Sequence, residues 1–102
     1  VVIKGINIIP ERIGDILQTL EGERPIYQLV ATRHQNKDEL EIWVEVTGEL
    51  FFDKMREQRA LVDAMRAKIA NFIGITPRVK LVERHSIVRE EGKVKLFVDR
   101  RI

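Results

Sequence analysis

The spacing of apolar residues along the chain predicts two helices of different length. Apolar residues recur every three or four positions after Pro10, and Gly22 follows as a suitable stop, so a first helix is predicted between them. A longer helix is predicted over residues 51–73, with Gly74 ending it and Pro77 preventing its continuation. One stripe of the longer helix is apolar except for a single arginine, and consists of Phe52, Met55, Arg59, Val62, Met65, Ile69 and Phe72.

The remaining apolar residues follow the pattern of strands. Residues 26–32 and 40–46 flank a polar turn at 34–38, which indicates an antiparallel hairpin. Further strands are predicted over residues 1–3, 78–84 and 94–98. The resulting β-α-β-β-α-β order, with an added C-terminal strand, predicts an α+β fold in which a small antiparallel sheet carries two helices on one face.

The composition suits one compact domain and excludes several kinds of chemistry. The 102 residues can form a single core, since 44% are hydrophobic and 33% are charged. The absence of cysteine removes disulfides and thiolate chemistry. His34 and His85 stand alone in predicted loops, where we expect solvent exposure and no metal site. A net charge of +2 does not indicate nucleic acid, and no apolar run reaches the roughly 20 residues of a membrane span. A cytoplasmic location is expected, since the absence of cysteine fits it.

The first candidate for chemistry is Lys93, which follows Gly92 in a charged turn just ahead of the last predicted strand. A lysine at a loop tip can reach a ligand held by another domain, and its ammonium group suits charge that develops on a phosphate. A lysine in such a turn is more often simply solvated, and the spaced glycines of a phosphate-binding P-loop are missing. The residue alone leaves both interpretations open.

Other positions carry a similar ambiguity. Gly5, followed by Ile6 and Asn7, is predicted in a turn that either allows a ligand to approach the backbone or is an ordinary turn. Trp43 is predicted on the strand face opposite the apolar residues, where it either anchors an interface or is covered by another segment. Four arginines near Lys93 in sequence form either an anion site or a surface balanced by neighbouring glutamates: Arg84, Arg89, Arg100 and Arg101.

The two ends of the chain carry motifs that belong together. Near the N-terminus, an apolar pair, a lysine, Gly5, an apolar residue, an asparagine and a second apolar pair precede Pro10. Near the C-terminus, Glu-Glu-Gly-Lys-Val-Lys spans residues 90–95, and Val-Asp-Arg-Arg spans residues 98–101. With the strand that begins Tyr-Gln-Leu-Val at Tyr27, these motifs resemble the C-terminal part of phenylacetate-CoA ligases, in the same order and over the whole chain.

This resemblance implies that residues 1–102 are a single unit, the mobile C-terminal domain of a longer adenylate-forming acyl-CoA ligase. The opening Val-Val-Ile, which has the character of a strand interior, agrees with a domain cut from a longer chain. Such an enzyme joins a carboxylic acid to AMP from ATP, releases pyrophosphate, and then transfers the acyl group to the thiol of CoA. The absent N-terminal domain is expected to hold the nucleotide with its Mg²⁺ and the acid, for which an arylacetate is the family default. The isolated domain is expected to be inactive.

The resemblance also implies roles for residues in two poses of the domain. In the adenylation pose, Lys93, supported by Gly92, would offset charge on the phosphate. In the second pose, Gly5, Ile6 and Asn7 would line the route of the CoA thiol.

Departures from the family pattern and two alternatives stand beside this interpretation. Val88 and Glu90 occupy positions where the family often has proline and serine. Gly14 and Leu96 occupy positions where the family usually has glutamate and arginine. The same order of elements occurs in amino-acid-sensing regulatory domains, which pair sheets edge to edge, so a non-catalytic ligand-binding module and a homodimer stay open. An RNA-binding sheet shares the order but needs paired aromatics, for which only Tyr27 and Trp43 are available.

Overall fold

Two helices lie on one face of a sheet in the computed structural model, which describes residues 1–22, 24–46 and 55–101. The first helix, α1, spans Pro10–Glu21, and the second, α2, spans Met55–Ile73. Gly22 ends α1 in the left-handed conformation, with φ of 83°, and donates its backbone N–H to the carbonyl of Gln18. The predicted limits of α1 are therefore confirmed. The predicted beginning of the longer helix, with Phe52, lies outside the described residues.

The strands are short except for one central hairpin. They are β1 (Val2–Ile3), β2 (Ile6–Asn7), β3 (Tyr27–His34), β4 (Lys37–Val46), β5 (Arg78–Glu83), β6 (Arg89–Glu90), β7 (Lys93–Val94) and β8 (Phe97–Asp99). The predicted turn between β3 and β4 shrinks to Gln35 and Asn36, both with positive φ, because pairing continues to His34 and Lys37. The predicted last strand is divided into β7 and β8, and the preceding loop contains β6.

The main sheet has the strand order β5-β4-β3-β8 and is mixed, which corrects the prediction of a purely antiparallel sheet. β3 and β4 are antiparallel, whereas β5 is parallel to β4 and β8 is parallel to β3. The connection between β4 and β5 explains this arrangement, because it contains the helix α2. A helical crossover returns the chain to the end of the sheet at which β4 begins, so β5 runs in the same direction as β4. The α+β class and the placement of both helices on one face are confirmed.

The core lies between the two helices and the sheet. Its buried members are Ile3, Ile8, Ile13, Ile16, Leu17, Tyr27, Leu29, Ala31, Leu40, Ile42, Val44, Met65, Ile69 and Val79. Met65 and Ile69 confirm the predicted stripe of α2, but Arg59 is exposed and the Phe72 side chain is 57% exposed. Ile73, four residues after Ile69, takes the inward position instead, because residues four apart share a helix face.

The opposite face of the sheet is covered by residues 84–95, which cross it between β5 and β8. The backbone N–H of Ile87 donates to the Glu45 carboxylate on β4 at 2.9 Å, and Ile87 is buried. The side-chain amide of Gln28 on β3 donates to the carbonyl of Lys95, also at 2.9 Å. This crossing segment was not predicted from the sequence, and it positions one of the two candidate sites.

Candidate functional site

Lys93 lies beside the tip of a two-stranded hairpin formed by β6 and β7, called here the lysine hairpin (residues 89–94). Its turn consists of Glu91 and Gly92, with φ of 52° and 76°, a backbone shape that Gly92 adopts without the steric cost of a β-carbon. Lys93 is the first residue after the turn, pairs with Glu90 and is exposed. Among the described residues, none bonds to its ammonium group. Its backbone is thus held in a hairpin while its charge stays free.

A buried carboxylate fastens the lysine hairpin to the sheet. The Glu45 side chain is only 4% exposed. One of its oxygens accepts the backbone N–H of Ile87 at 2.9 Å, and the other accepts Nη2 of Arg89 at 3.2 Å. Nη1 of Arg89 donates to the backbone carbonyl of Ile87 at 2.9 Å. These contacts close a small ring around the first residue of the hairpin.

The electrostatics of Glu45 agree with its being ionised. Burial opposes ionisation, but backbone hydrogen bonds from His85 and Ile87, together with Arg89, outweigh it and hold the pKa of Glu45 below its ordinary value. A buried carboxylate with this many donors is stabilised in its charged form.

The second candidate site, Gly5-Ile6-Asn7, belongs to another small hairpin, formed by β1 and β2 and called here the amino-terminal hairpin (residues 2–7). The turn is Lys4-Gly5, with φ of 52° and 78°, so the predicted turn is present but shorter, and Ile6 and Asn7 lie on the returning strand. Space is open around Gly5. Together with Ile9 and Phe72, which are 49% and 57% exposed, Ile6 lines an apolar cleft of about 300 Å³.

The two hairpins lie at opposite ends of the sheet. The lysine hairpin is held by Glu45, near the end of β4. The amino-terminal hairpin lies beside the turn between β3 and β4, because Arg101 donates both to the carbonyl of Val2 at 2.9 Å and to Asp38 at 3.1 Å. The eight residues of β3 separate these ends by roughly 25 Å. The structure therefore does not bring Lys93 and Gly5 together.

Arg101 is the centre of an ion-pair network at the amino-terminal hairpin. Its guanidinium makes two hydrogen bonds to Asp99, at 3.0 and 2.9 Å, and a third to Asp38, which also accepts Nε of Arg33 at 2.8 Å. Hydrogen bonds from Arg101 lower the pKa of Asp99 to about 2, and a hydrogen bond from Arg33 is the main cause of a lowered pKa at Asp38. The network joins the first strand of the chain to its last.

The four arginines near Lys93 in sequence do not form one anion site. Arg89 binds Glu45 beneath the lysine hairpin, and Arg101 binds aspartates at the other end of the sheet. Arg100 lies over the ring of Trp43, with its Cζ 5.6 Å from the ring centre, and Nζ of Lys80 lies 4.9 Å from the same centre. Trp43 is therefore on the sheet face away from the helices, as predicted, and half-buried between two cations.

The structure offers no metal centre within the described ranges, where no three acidic or histidine side chains gather as ligands. His34 and His85 are both exposed, as expected. The helices found in residues 10–21 and 55–73 are too short or too polar to cross a membrane.

Sequence reasoning missed Glu45 and Arg89 as residues that support the candidate site. The alternating pattern placed Glu45 on the face away from the core, which is the usual position of a solvated carboxylate. Nothing in the local pattern shows that a segment some 40 residues later would cover it; the bond from Ile87 joins residues 42 positions apart.

Comparison with known proteins identifies the family. Residues 5–101 match the family model of the AMP-binding enzyme C-terminal domain. The chain belongs to this family. This AMP-binding enzyme C-terminal domain is 33% identical to phenylacetate-coenzyme A ligase of Escherichia coli over 98% of its own length. It spans 23% of that relative, so the matched part is about a quarter of the curated protein. The resemblance predicted from the two end motifs is confirmed.

Solved structures agree with this assignment of the chain to the family. A domain of phenylacetate-coenzyme A ligase from Bacteroides vulgatus is similar to it with a TM-score of 0.80 and 29% identity, covering 100% of this chain and 92% of that one. 2-Hydroxyisobutyryl-CoA ligase, solved with 2-HIB-AMP and CoA in the thioesterification state, gives a TM-score of 0.82 and 26% identity, covering 98% of this chain and 21% of that one. The same ligase has also been solved in a postadenylation state, with a TM-score of 0.75 and 25% identity over 97% of this chain and 21% of that one.

Proposed function

We propose that this chain is the mobile C-terminal domain of an ATP-dependent, phenylacetate-type aryl acid CoA ligase. The observation that carries the proposal is the separation of the two motif hairpins. Two sites roughly 25 Å apart on one rigid sheet cannot face the same active site at the same time. They suit a domain that presents one end in the first half-reaction and the other end in the second.

In the first half-reaction, the lysine hairpin faces the active site of the N-terminal domain. A carboxylate oxygen of the acid attacks the α-phosphorus of ATP, the bond to the bridging oxygen breaks, and pyrophosphate leaves. Lys93 supplies a positive charge where negative charge gathers on the phosphate and the reacting oxygens. Because none of the described residues bonds to the ammonium group of Lys93, that group is free to make this contact.

In the second half-reaction, the amino-terminal hairpin faces the same active site. The thiolate sulfur of CoA attacks the acyl carbon, the carbon–oxygen bond to AMP breaks, and AMP leaves. Gly5, Ile6 and Asn7 line the thiol's route, and the open space around Gly5 allows close approach to its backbone. The solved structures of 2-hydroxyisobutyryl-CoA ligase in two catalytic states support a cycle with two poses.

Exposed apolar side chains flank both hairpins and suit a domain that docks in two orientations. Ile9 and Phe72 lie beside the amino-terminal hairpin and are 49% and 57% exposed. Val88, directly before the lysine hairpin, is 75% exposed, and Ile26, near β7, is 40% exposed. Each end of the sheet thus has apolar surface for contact with an N-terminal domain.

This proposal also says where the substrates bind. ATP, its Mg²⁺ and the carboxylic acid bind on the N-terminal domain, CoA enters between the domains, and the isolated chain is inactive because Lys93 has no nucleotide to act on. A cytoplasmic location, and pairing of two copies through strand edges, stay predictions. No observation favours the amino-acid-sensing alternative over the ligase, whose family the chain shares.

The test is pyrophosphate exchange by the full-length protein with a panel of arylacetates. Lys93→Ala is expected to reduce acid-dependent exchange about 100-fold or more, the loss typical of removing one transition-state charge contact. Thioester formation from a supplied acyl-adenylate should stay within about twofold of wild type, because this step uses the other hairpin. Lys95→Ala is the matched control, since Lys95 is an exposed lysine two residues away that offers only its backbone carbonyl to Gln28.

Two results would contradict the proposal. If the wild-type protein shows no pyrophosphate exchange with any acid of the panel, the proposed ligase activity is wrong. If Lys93→Ala slows both half-reactions equally, or slows neither, the role assigned to Lys93 is wrong.

A further inference from the structure

Glu45 is a buried charged group that the proposed chemistry does not use directly. It lies near the end of β4, on the sheet face away from both helices, with its side chain 4% exposed. An ionised carboxylate loses much hydration when it is buried, so such groups persist only where donors replace the water. Here the donors are the backbone N–H groups of His85 and Ile87 and the guanidinium of Arg89.

These donors belong to the segment that carries Lys93. Ile87 lies two residues before the lysine hairpin, and Arg89 is the first residue of β6. Arg89 pairs with Val94 across the hairpin, and Glu90 pairs with Lys93. Glu45 is therefore connected to the backbone of Lys93 through one ion pair and one pair of strands.

The lysine hairpin needs such support from outside. Each of its strands has two residues, and an isolated two-stranded hairpin is marginally stable at best. Directly after the hairpin, the side chain of Gln28 on β3 donates to the carbonyl of Lys95. The backbone N–H of Leu29 also donates to the carbonyl of Leu96 at 2.8 Å, so both bonds hold the chain only after the hairpin. Without Glu45, the side of the hairpin that begins at Arg89 would lose its ion pair to the sheet, and the position of Lys93 would vary.

We propose that Glu45 is a positioning residue for adenylation, which holds the lysine hairpin against the sheet through Ile87 and Arg89 so that Lys93 meets the reacting phosphate in one geometry. The inference rests on the proposed function of Lys93. Misplacement of a catalytic group by about 1 Å can cost about 100-fold in rate, so loss of the attachment should act on the first half-reaction. The second half-reaction should be spared, because the amino-terminal hairpin lies at the other end of the sheet.

The test is Glu45→Gln in the full-length protein, with Glu41→Gln as the matched control. Both residues lie on β4 and face the same side of the sheet, but Glu41 accepts the indole N–H of Trp43 at 2.9 Å, and no described hydrogen bond or ion pair joins it to the lysine hairpin. Glu45→Gln is expected to lower the kcat of pyrophosphate exchange about 10- to 100-fold, with the KM for the acid changed less than about twofold. Thioester formation from supplied acyl-adenylate should stay within about twofold of wild type in both variants.

Hydrogen exchange supplies a readout that does not depend on catalysis. Backbone amides of residues 87–95 should exchange faster in Glu45→Gln, whereas those of Glu41→Gln should match wild type. The double variant Glu45→Gln/Lys93→Ala should be no slower in adenylation than Lys93→Ala alone, because Glu45 acts only through Lys93. If Glu45→Gln does not fold, Arg89→Ala removes the same ion pair from a side chain that is 29% exposed.

The possible outcomes separate this inference from the function on which it rests. If the wild type is active and Glu45→Gln exchanges pyrophosphate at the wild-type rate, the positioning role is wrong and the ligase assignment stands. The same holds if Glu45→Gln loses both half-reactions equally. Inactive wild type overturns the ligase assignment and with it any role of Glu45 in adenylation. The amide exchange of residues 87–95 then still reports whether Glu45 holds the hairpin.

Discussion

The hydroxyl oxygen of Tyr27 lies 2.7 Å from the position that a β-carbon on Gly14 would occupy. The hydroxyl donates to the carbonyl of Pro10 at 2.9 Å, so the tyrosine ring lies against the first turns of α1. Nη1 of Arg24 closes the same space at 2.8 Å from that position. Close packing in this chain thus explains a glycine at position 14.

We expect Gly14→Ala to lower the free energy of unfolding by about 1 kcal/mol, although alanine normally favours a helix over glycine by about 0.5–1 kcal/mol. The reason is that the new methyl group would overlap the Tyr27 hydroxyl. Urea unfolding of the 102-residue chain, followed by circular dichroism, measures the effect. In a Tyr27→Phe background the same change should be neutral or stabilising, because the remaining neighbour, Arg24, is exposed and can move aside. A stabilising effect in the wild-type background would show that the Tyr27 hydroxyl does not restrict this position.

Gly5→Ala should impair the second half-reaction more than the first. At φ of 78° a β-carbon is strained, while no neighbouring atom within 4 Å would be struck, so the change acts on the turn itself. We expect thioester formation from supplied acyl-adenylate to fall about tenfold in the full-length protein, with pyrophosphate exchange nearly unchanged. Gly22→Ala is the control, because Gly22 has φ of 83° and equally open surroundings at the end of α1. Similar loss in both variants would point to general destabilisation.

The ion-pair network of Arg101 should make the domain sensitive to acid. The pKa of Asp99 is lowered from an ordinary 3.8 to about 2 by hydrogen bonds from Arg101, so the unfolded state binds more protons between these values. The stabilisation is fully present above about pH 4 and is lost as pH falls towards 2. Urea midpoints measured across this range should fall less steeply for Asp99→Asn than for wild type. The exposed Asp63→Asn on α2 should retain the wild-type slope.

Trp43 is the only tryptophan, so its fluorescence reports directly on the cations that cover it. Removal of either cation by Lys80→Ala or Arg100→Ala should shift the emission to longer wavelength, because water would reach the ring. Each change should also cost about 0.5–1 kcal/mol of stability, as expected for cation–π contacts near the surface. The control is Lys37→Ala, which should change neither quantity. Lys37 is an exposed lysine and the first residue of β4, next to the turn that joins β3 to β4. Unchanged emission in both test variants would show that the ring is covered by other groups.

Much of the local structure could be predicted because it depends on residues close together in the sequence. Pro10 and Gly22 bound α1 as their backbone preferences require, and Gly5 and Gly92 each lie in a two-residue turn with positive φ. The stripe of α2 was correct at Met65 and Ile69 and wrong at Phe72, where the drift between a fixed spacing and the true helical repeat shifts the inward position to Ile73.

The sequence by itself determined the two helices, the central hairpin, the glycine turns and the family, because each depends on local spacing or on motifs read in order. Only the tertiary structure decided the strand directions, the attachment of Arg89 to Glu45, and the separation of Lys93 from Gly5. These depend on contacts between distant residues, such as the bond from Arg101 to the carbonyl of Val2 across 99 positions. A carboxylate on an outward strand face has the same local pattern whether water or a later segment covers it, so only the folded chain distinguishes Glu45 from its exposed counterparts.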